Sequence, residues 1–135
     1  MKYLYTAILS PIEGESAWSA RVPDLPGCVS TGADIPEALD MITDAASLWL
    51  VVAEDKGLPI APPTPQSALE RQGLGPDDVC TLIRIDTLAY RALTDNRAVR
   101  KNVSLPAWMV NMADKRGINC SQVLQEALKA RLQAP

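Results

Sequence analysis

Residues 34–57 read D-I-P-E-A-L-D-M-I-T-D-A-A-S-L-W-L-V-V-A-E-D-K-G, which is the pattern of one long amphipathic helix. Apolar residues recur along this stretch at i, i+3, i+4 and i+7, so they share one broad face. Asp34 is an N-cap residue by type, and Glu37 follows at the spacing of a capping box. Gly57 is placed as a C-terminal cap. We therefore predict a helix that begins after Asp34 and ends at Gly57.

Four strand-like segments flank this helix. Residues 2–9 are rich in aromatic and β-branched types, and residues 18–22 alternate apolar with polar side chains, so the two predict a hairpin. Residues 28–31 predict a short third strand, and residues 79–85 (V-C-T-L-I-R-I) predict a fourth. The order β-β-β-α-β predicts an α+β domain in which a sheet packs against a helix.

The last segment of the chain has a different pattern. Residues 99–105 predict a strand, and Pro106 suits the first turn of a helix that Gly117 ends. Ser121 is the predicted N-cap of a second amphipathic helix. One strand and two helices, in fewer than about 40 residues, cannot bury their apolar surface alone. We therefore predict a homodimer in which two strands pair antiparallel and four helices pack around them.

The net charge of −3 is the sum of two opposed parts. Residues 98–135 contain six basic and two acidic side chains, which gives +4. Residues 1–97 contain seven basic and fourteen acidic side chains, which gives −7. An acidic body joined to a basic tail predicts two partners of opposite charge.

The paired strands of residues 99–105 have the features of a DNA reader. Side chains alternate along a strand, so Arg100, Asn102 and Ser104 share the face opposite the predicted dimer core. A two-stranded ribbon fits the major groove, where Arg pairs with guanine and Asn with adenine. The amides at the helix start near Ser121 are suited to hold a phosphate. The segment resembles the ribbon-helix-helix family, although a dimerisation module with a polar outer ribbon remains the alternative.

The sequence argues against an enzyme. It contains no histidine, which excludes Ser-His and Cys-His nucleophile pairs and every histidine metal ligand. The acidic residues of the predicted helix are explained by capping and by a polar face, and the central strands lack an inward carboxylate triad. We expect no catalytic residues, no metal and no cofactor.

The sequence also predicts a cytoplasmic protein. No apolar run approaches the roughly 20 residues of a membrane span, and no signal peptide is visible. The three cysteines are far apart and odd in number, which favours reduced thiols over a disulfide framework or a zinc site.

The first domain resembles the HicB antitoxins. The resemblance rests on V-P-D-L-P-G-C at residues 22–28, Gly32, E-A-L at residues 37–39 and G-L-P-I at residues 57–60, which Pro62 and Pro63 follow. With the C-terminal segment it spans nearly the whole chain. It implies a partial ribonuclease-H-like domain, a linker and a ribbon-helix-helix domain, at residues 1–86, 87–98 and 99–135.

The resemblance also implies a function. Members bind and neutralise a HicA-like toxin, a small basic protein that cleaves messenger RNA, and repress their own operon by binding operator double-stranded DNA. The acidic first domain has the charge needed to meet a basic toxin. Candidate toxin contacts are Asp24, Asp40 and Asp44, although a turn-forming Asp and a solvated helix face explain them equally well. The sheet edge also allows two dimers to form a tetramer.

Two alternatives remain open from the sequence. One is a stand-alone ribbon-helix-helix transcriptional regulator whose first domain binds a ligand or another partner. The other is a residual metal-dependent nuclease, since ribonuclease-H-type chemistry needs several carboxylates around two metal ions.

Overall fold

The first 94 residues provide the four strands and the longest helix of the described chain. The structure is a computed structural model that describes residues 1–133. These residues form two separate units, Lys2–Thr94 and the part that begins at Asp95. The elements are β1 (Lys2–Pro11), β2 (Trp18–Arg21), β3 (Val29–Gly32), α1 (Ile35–Lys56), α2 (Gln66–Arg71), β4 (Val79–Asp86), α3 (Thr87–Thr94), α4 (Ala107–Lys115) and α5 (Cys120–Gln133).

The sheet of the first unit has the order β3-β2-β1-β4, and every neighbouring pair is antiparallel. β1 lies in the interior, where Tyr5 pairs with Ile83 of β4 and Ile8 pairs with Arg21 of β2. The predicted α+β arrangement is therefore confirmed, with four strands and a long helix in the predicted order. β3 begins one residue later than predicted, and Cys28 is buried in the core instead.

The core of this unit lies between α1 and one face of the sheet. The helix buries a stripe of small and aliphatic side chains: Ala38, Ile42, Ala46, Leu50 and Ala53. The strands contribute alternate side chains: Tyr5, Ala7, Leu9, Ala20, Ile83 and Ile85. Full burial of each large aliphatic side chain stabilises the fold by about 1.5–3 kcal/mol, so this layer is the main source of stability in the first unit.

Both predicted ends of α1 are confirmed. The Asp34 carboxylate accepts a hydrogen bond from the Glu37 amide at 2.8 Å, which satisfies one of the free donors of the first turn. Gly57 has a φ of 65°, and the following amide of Leu58 donates to Ala53 O at 2.9 Å. A glycine suits this left-handed position because a Cβ would be strained there.

Gly32 is required by a close approach between β3 and α1. A Cβ at this position would lie 2.3 Å from the backbone nitrogen of Ala38. The end of the edge strand therefore contacts the first turn of α1 directly, which fixes where the helix crosses the sheet.

The segment predicted as a linker, residues 87–98, is partly a helix. Residues 87–94 form α3, and the Asp86 carboxylate caps it by accepting from the amides of Leu88 and Ala89 at 3.1 and 3.2 Å. Arg91 of α3 forms an ion pair with Glu54 of α1 at 3.2 Å. The linker prediction is wrong for these residues because the cap and the contacts with α1 make them part of the first unit.

The second unit contains α4 and α5, and Gly117 ends α4 as predicted, with a φ of 64°. The predicted N-cap Ser121 is wrong. α5 begins at Cys120, and Asn119 Oδ1 accepts from the Gln122 amide at 3.2 Å, so Asn119 is the capping residue. The end of the predicted C-terminal domain, residues 134–135, lies outside the described residues.

The predicted strand at residues 99–105 is absent from the single chain, in which residues 95–106 are neither helix nor strand. A ribbon strand obtains its ladder hydrogen bonds from a neighbouring strand, and the chain offers no such neighbour here. Every side chain of residues 95–133 is exposed except Ala113, which is half-buried. The second unit as a single chain therefore lacks a buried core.

None of the described helices combines the length and apolar character that a membrane span requires.

Candidate protein and nucleic-acid interfaces

The second unit exposes an apolar groove of about 500 Å³. Large side chains along it are strongly exposed, including Trp108 at 63% and Met112 at 48%. Its apolar lining comes from three stretches of chain: Val103, Leu105, Trp108, Met109, Met112, Ile118, Val123 and Leu124. A contiguous exposed apolar surface of this kind marks an interaction site.

The residues predicted to read DNA lie on one side of the segment before α4. The odd-numbered side chains Lys101, Val103 and Leu105 line the groove, whereas Arg100, Asn102 and Ser104 do not. All of the latter are exposed. The two-residue alternation expected of a strand is thus present although no ladder has formed.

Ser121 lies at the groove rather than beside the other predicted DNA contacts. It occupies the second position of α5, so its amide is among the helix donors that lack an intrahelical acceptor. The Asn119 cap satisfies the Gln122 amide and leaves this donor available. The sequence signal for Asn119 was present, since Asn is as good a cap as Ser.

The three acidic residues predicted to meet a toxin fall into two environments. Asp40 and Asp44 are exposed one turn apart on α1. Burial and, to a smaller extent, the charge of Asp44 raise the pKa of Tyr90 on α3. Asp24 is half-buried in the loop between β2 and β3, where its carboxylate accepts from the Thr64 amide at 2.8 Å and from the Thr64 hydroxyl. Asp24 therefore has a structural task, which is to hold the proline-rich segment.

Two further hydrogen bonds hold that proline-rich segment and the β2–β3 loop. The Tyr5 hydroxyl donates to Ala61 O, and Trp49 Nε1 donates to Pro26 O at 2.9 Å. Burial, followed by the charge of Asp24, raises the pKa of Tyr5. The loop and the segment are consequently fixed against α1 and β1.

A polar cluster around Glu54 joins β1, α1 and α3. Its carboxylate accepts from the Tyr3 hydroxyl at 2.8 Å, from the Thr87 hydroxyl at 3.1 Å and from Arg91 at 3.2 Å. Arg91 also pairs with Asp55 at 2.9 Å. Burial, then the hydrogen bond to Glu54, raises the pKa of Tyr3 to about 12. Sequence reasoning missed this cluster because Tyr3, Thr87 and Arg91 each lie more than 30 positions from Glu54.

Sequence reasoning also missed an exposed apolar surface on the first unit. Met41 and Leu48 of α1 are 46% and 51% exposed, outside the stripe that packs on the sheet. Val52, on the same helix, is 37% exposed. Val29 and Leu58, at 66% and 50%, are also strongly exposed. The signal was available, since these α1 residues follow one another at helical spacing.

Metal-binding and redox features are few in the described residues. Within residues 1–133, no group of three or more His, Cys, Asp or Glu side chains is placed to hold a metal ion. Cys28 is buried, Cys80 half-buried and Cys120 exposed, and all three are free thiols. Burial raises the pKa of Cys28, so its thiol stays protonated at neutral pH.

Comparison with known protein families gives a match over most of the chain. A family model described as the HicB-like antitoxin of bacterial toxin-antitoxin systems matches residues 5–127. The chain belongs to the HicB-like antitoxin family. The family match therefore confirms the resemblance of this HicB-like antitoxin's sequence to the HicB antitoxins. No curated protein matches the chain.

Solved structures similar to this HicB-like antitoxin support its fold. A toxin-antitoxin complex from Streptococcus pneumoniae contains a chain that is 18% identical, with a TM-score of 0.59 over 97% of this chain and 99% of the other. The antitoxin HicB of Burkholderia pseudomallei is 21% identical, with a TM-score of 0.56 over 98% and 99% of the two chains. The N-terminal domain of that antitoxin is 21% identical, with a TM-score of 0.54 over 64% of this chain and 99% of the other.

Proposed function

We propose that this HicB-like antitoxin neutralises a small basic toxin of the HicA type and represses its own operon by binding operator DNA. The first unit, a partial ribonuclease-H-like domain in this proposal, binds the toxin. The second unit, as a ribbon-helix-helix dimer, binds the DNA. The protein acts by binding, without catalysis.

The observation that carries the proposal is the coincidence of charge with structure. Residues 1–94 hold six basic and thirteen acidic side chains, or −7, and residues 95–135 hold seven basic and three acidic ones, or +4. The boundary between the two structural units falls after Thr94, three residues before the division made in the sequence, and the two net charges stay the same because Asp95 and Arg97 cancel. Each sign suits a different macromolecule, because an acidic surface attracts a basic protein and a basic surface attracts phosphates.

The apolar groove of the second unit supports a homodimer. A second copy would cover the groove, and pairing of residues 99–105 from two chains would satisfy backbone groups that have no ladder in one chain. The alternation along these residues then directs Arg100, Asn102 and Ser104 of both chains away from the dimer core. That side is the one a β-ribbon inserts into the major groove. The Ser121 amide at the start of α5 would contact a backbone phosphate.

Operator recognition is tested with the double variant Arg100→Ala, Asn102→Ala. We expect its affinity for the DNA upstream of its own gene to fall at least a hundredfold, because each bidentate base contact contributes about 1–3 kcal/mol. The measurement is a band-shift titration at fixed salt, together with circular dichroism and size-exclusion chromatography to verify an intact dimer.

The matched control for this test is Lys129→Ala, which removes one charge from α5 outside the ribbon. It should weaken binding only slightly and equally for all DNA sequences. Unchanged operator affinity in the double variant would show that the ribbon does not read the operator.

Toxin neutralisation is tested by co-expression with the product of the small open reading frame next to this gene. We expect that product to stop growth alone, to be harmless with this chain present, and to co-purify with it. A product that is harmless alone or that does not co-purify would contradict the toxin-binding half of the proposal. Operator binding without such a toxin would instead favour a stand-alone regulator.

A further inference from the structure

Helix α1 carries a second apolar stripe beside the one that faces the sheet. Met41, Leu48 and Val52 succeed one another at spacings of seven and four residues, so they lie along one side of the helix. They are 46%, 51% and 37% exposed. The core already uses a separate stripe of α1, so these side chains are not required to hold the helix on the sheet.

Two neighbouring segments add to this stripe, because Val29 and Leu58 line the same hollow as Leu48 and Val52. Val29 on the edge strand β3 is 66% exposed, and Leu58, directly after α1, is 50% exposed. We call Val29, Met41, Leu48, Val52 and Leu58 the α1 patch.

A tryptophan divides the surface next to the patch into two shallow hollows. Trp49 and Leu58 line both hollows, which measure about 350 and 420 Å³. The hydrogen bond from Trp49 Nε1 to Pro26 O, at 2.9 Å, fixes the indole ring between them. A rigid aromatic side chain between apolar hollows is a feature of energetically dominant binding sites.

Acidic side chains border the α1 patch. Glu37 lies four residues before Met41, and Asp44 lies four residues before Leu48, so each is a neighbour of the stripe on the helix surface. Asp40 lies between them in the sequence. No ion pair among residues 1–133 engages these three carboxylates. α1 carries five carboxylates against one basic residue, Lys56.

This charge distribution selects between the possible occupants. Two copies of the same acidic surface would bring like charges together, which opposes self-association through the patch. A basic partner would gain attraction at the rim and bury apolar side chains in the hollows. We propose that the α1 patch is where the basic toxin docks, with an apolar side chain of the toxin beside Trp49 and Lys or Arg residues against Glu37, Asp40 and Asp44. This inference rests on the proposed function.

The test compares two leucines that are equally exposed on different faces. Leu48 is 51% exposed in the patch, and Leu82 of β4 is 55% exposed. Leu82 alternates with Ile83 and Ile85, which face the core, so it lies on the other side of the sheet. Leu48→Gln should weaken binding of the protein encoded by the small open reading frame next to this gene at least tenfold by calorimetry. Leu82→Gln should change this affinity less than twofold.

The outcomes distinguish failure of the docking site from failure of the proposed toxin-binding function. Tight binding by both variants would overturn the docking site and leave the proposed function intact. No binding by the unsubstituted chain would overturn both. A lower oligomer mass for Leu48→Gln alone, by sedimentation velocity, would assign the patch to a second copy and overturn the toxin as its occupant.

The acidic rim has its own readout. Asp40→Asn with Asp44→Asn should reduce the association rate several-fold and flatten its dependence on salt, with little change in the dissociation rate. An unchanged association rate would contradict the docking of a basic surface at this rim.

Discussion

The role inferred for Asp24 depends on tertiary contacts that the sequence does not show. In the sequence it is a turn residue available to a partner, but in the structure both of its oxygens accept hydrogen bonds from Thr64. Removing it would leave two donors without a partner, so an effect of Asp24 variants on toxin binding would include damage to the fold. Asp40 and Asp44, which form no ion pair in the described chain, are the cleaner probes of charge.

Tyr3 makes the stability of the first unit depend on alkaline pH. Its folded-state pKa is about 12, against 10.0 for the free side chain. Between these values the unfolded chain has released the proton and the folded chain retains it, so stability falls as pH rises from about 10 to 12. Below that range the contribution of the neutral hydroxyl is fully present.

The variant Tyr3→Phe lacks the titrating group, and we expect its urea midpoint to decline less between pH 8 and pH 11 than that of the unsubstituted chain. The comparison at pH 8 isolates the loss of the Glu54 hydrogen bond itself. An identical decline in both proteins would show that Tyr3 does not carry the alkaline sensitivity.

At the scale of elements, the junction of β3 and α1 depends on a missing Cβ. We expect Gly32→Ala to destabilise the first unit by about 3 kcal/mol, because the new methyl group would clash with the backbone of Ala38 and overpacked sites relax poorly. The measurement is the free energy of unfolding in urea.

Gly75→Ala is the matched control for this change. Its Cβ would lie 3.3 Å from the Asp78 carboxylate, which accepts from the Gly75 amide at 2.8 Å and needs only a small shift to relieve the contact, so we expect a loss of less than about 1 kcal/mol. Equal effects at the two glycines would refute the contact between β3 and α1 as the cause.

α3 shows why an element can be present without an obvious pattern. Its eight residues are too few for a clear hydrophobic period, and isolated helices of this length are unstable. The Asp86 cap and the ion pair between Arg91 and Glu54 supply the stabilisation that an isolated helix of this length lacks. Residues 87–94 therefore belong with the first unit, and the second unit begins at Asp95.

At the scale of the whole molecule, dimerisation should decide whether the second unit is stable. We expect Leu124→Glu to give monomers and to abolish operator binding, because in the proposed dimer it would bury an unpaired charge in the groove that a second copy would cover. The measurements are sedimentation velocity and band shift. The urea transition of the first unit should be unchanged.

Gln125→Glu provides the control for this variant. It introduces the same charge at the next position, which is exposed and does not line the groove. It should remain dimeric, and a dimeric Leu124→Glu would contradict the groove as the dimer interface.

The local elements and the division of charge follow from the sequence alone. The Asp34 cap, the Gly57 cap and the strand alternation are encoded within a few neighbouring residues, because capping and side-chain periodicity are local effects. The charges of −7 and +4 follow from composition alone. The V-P-D-L-P-G-C motif and the segments around it were enough to indicate the HicB-like family.

Which side chains hydrogen-bond to one another, and which apolar surfaces stay exposed, depends on the tertiary fold. The fold brings Glu54 within hydrogen-bond distance of Tyr3, Thr87 and Arg91, and it pairs Asp24 with Thr64. It also leaves Leu48 exposed beside acidic neighbours. These relations join residues distant in the chain or depend on what packs above a helix, so no local pattern contains them. Residues 99–105 form no strand in one folded chain, so the proposed ribbon depends on hydrogen bonds from a second chain.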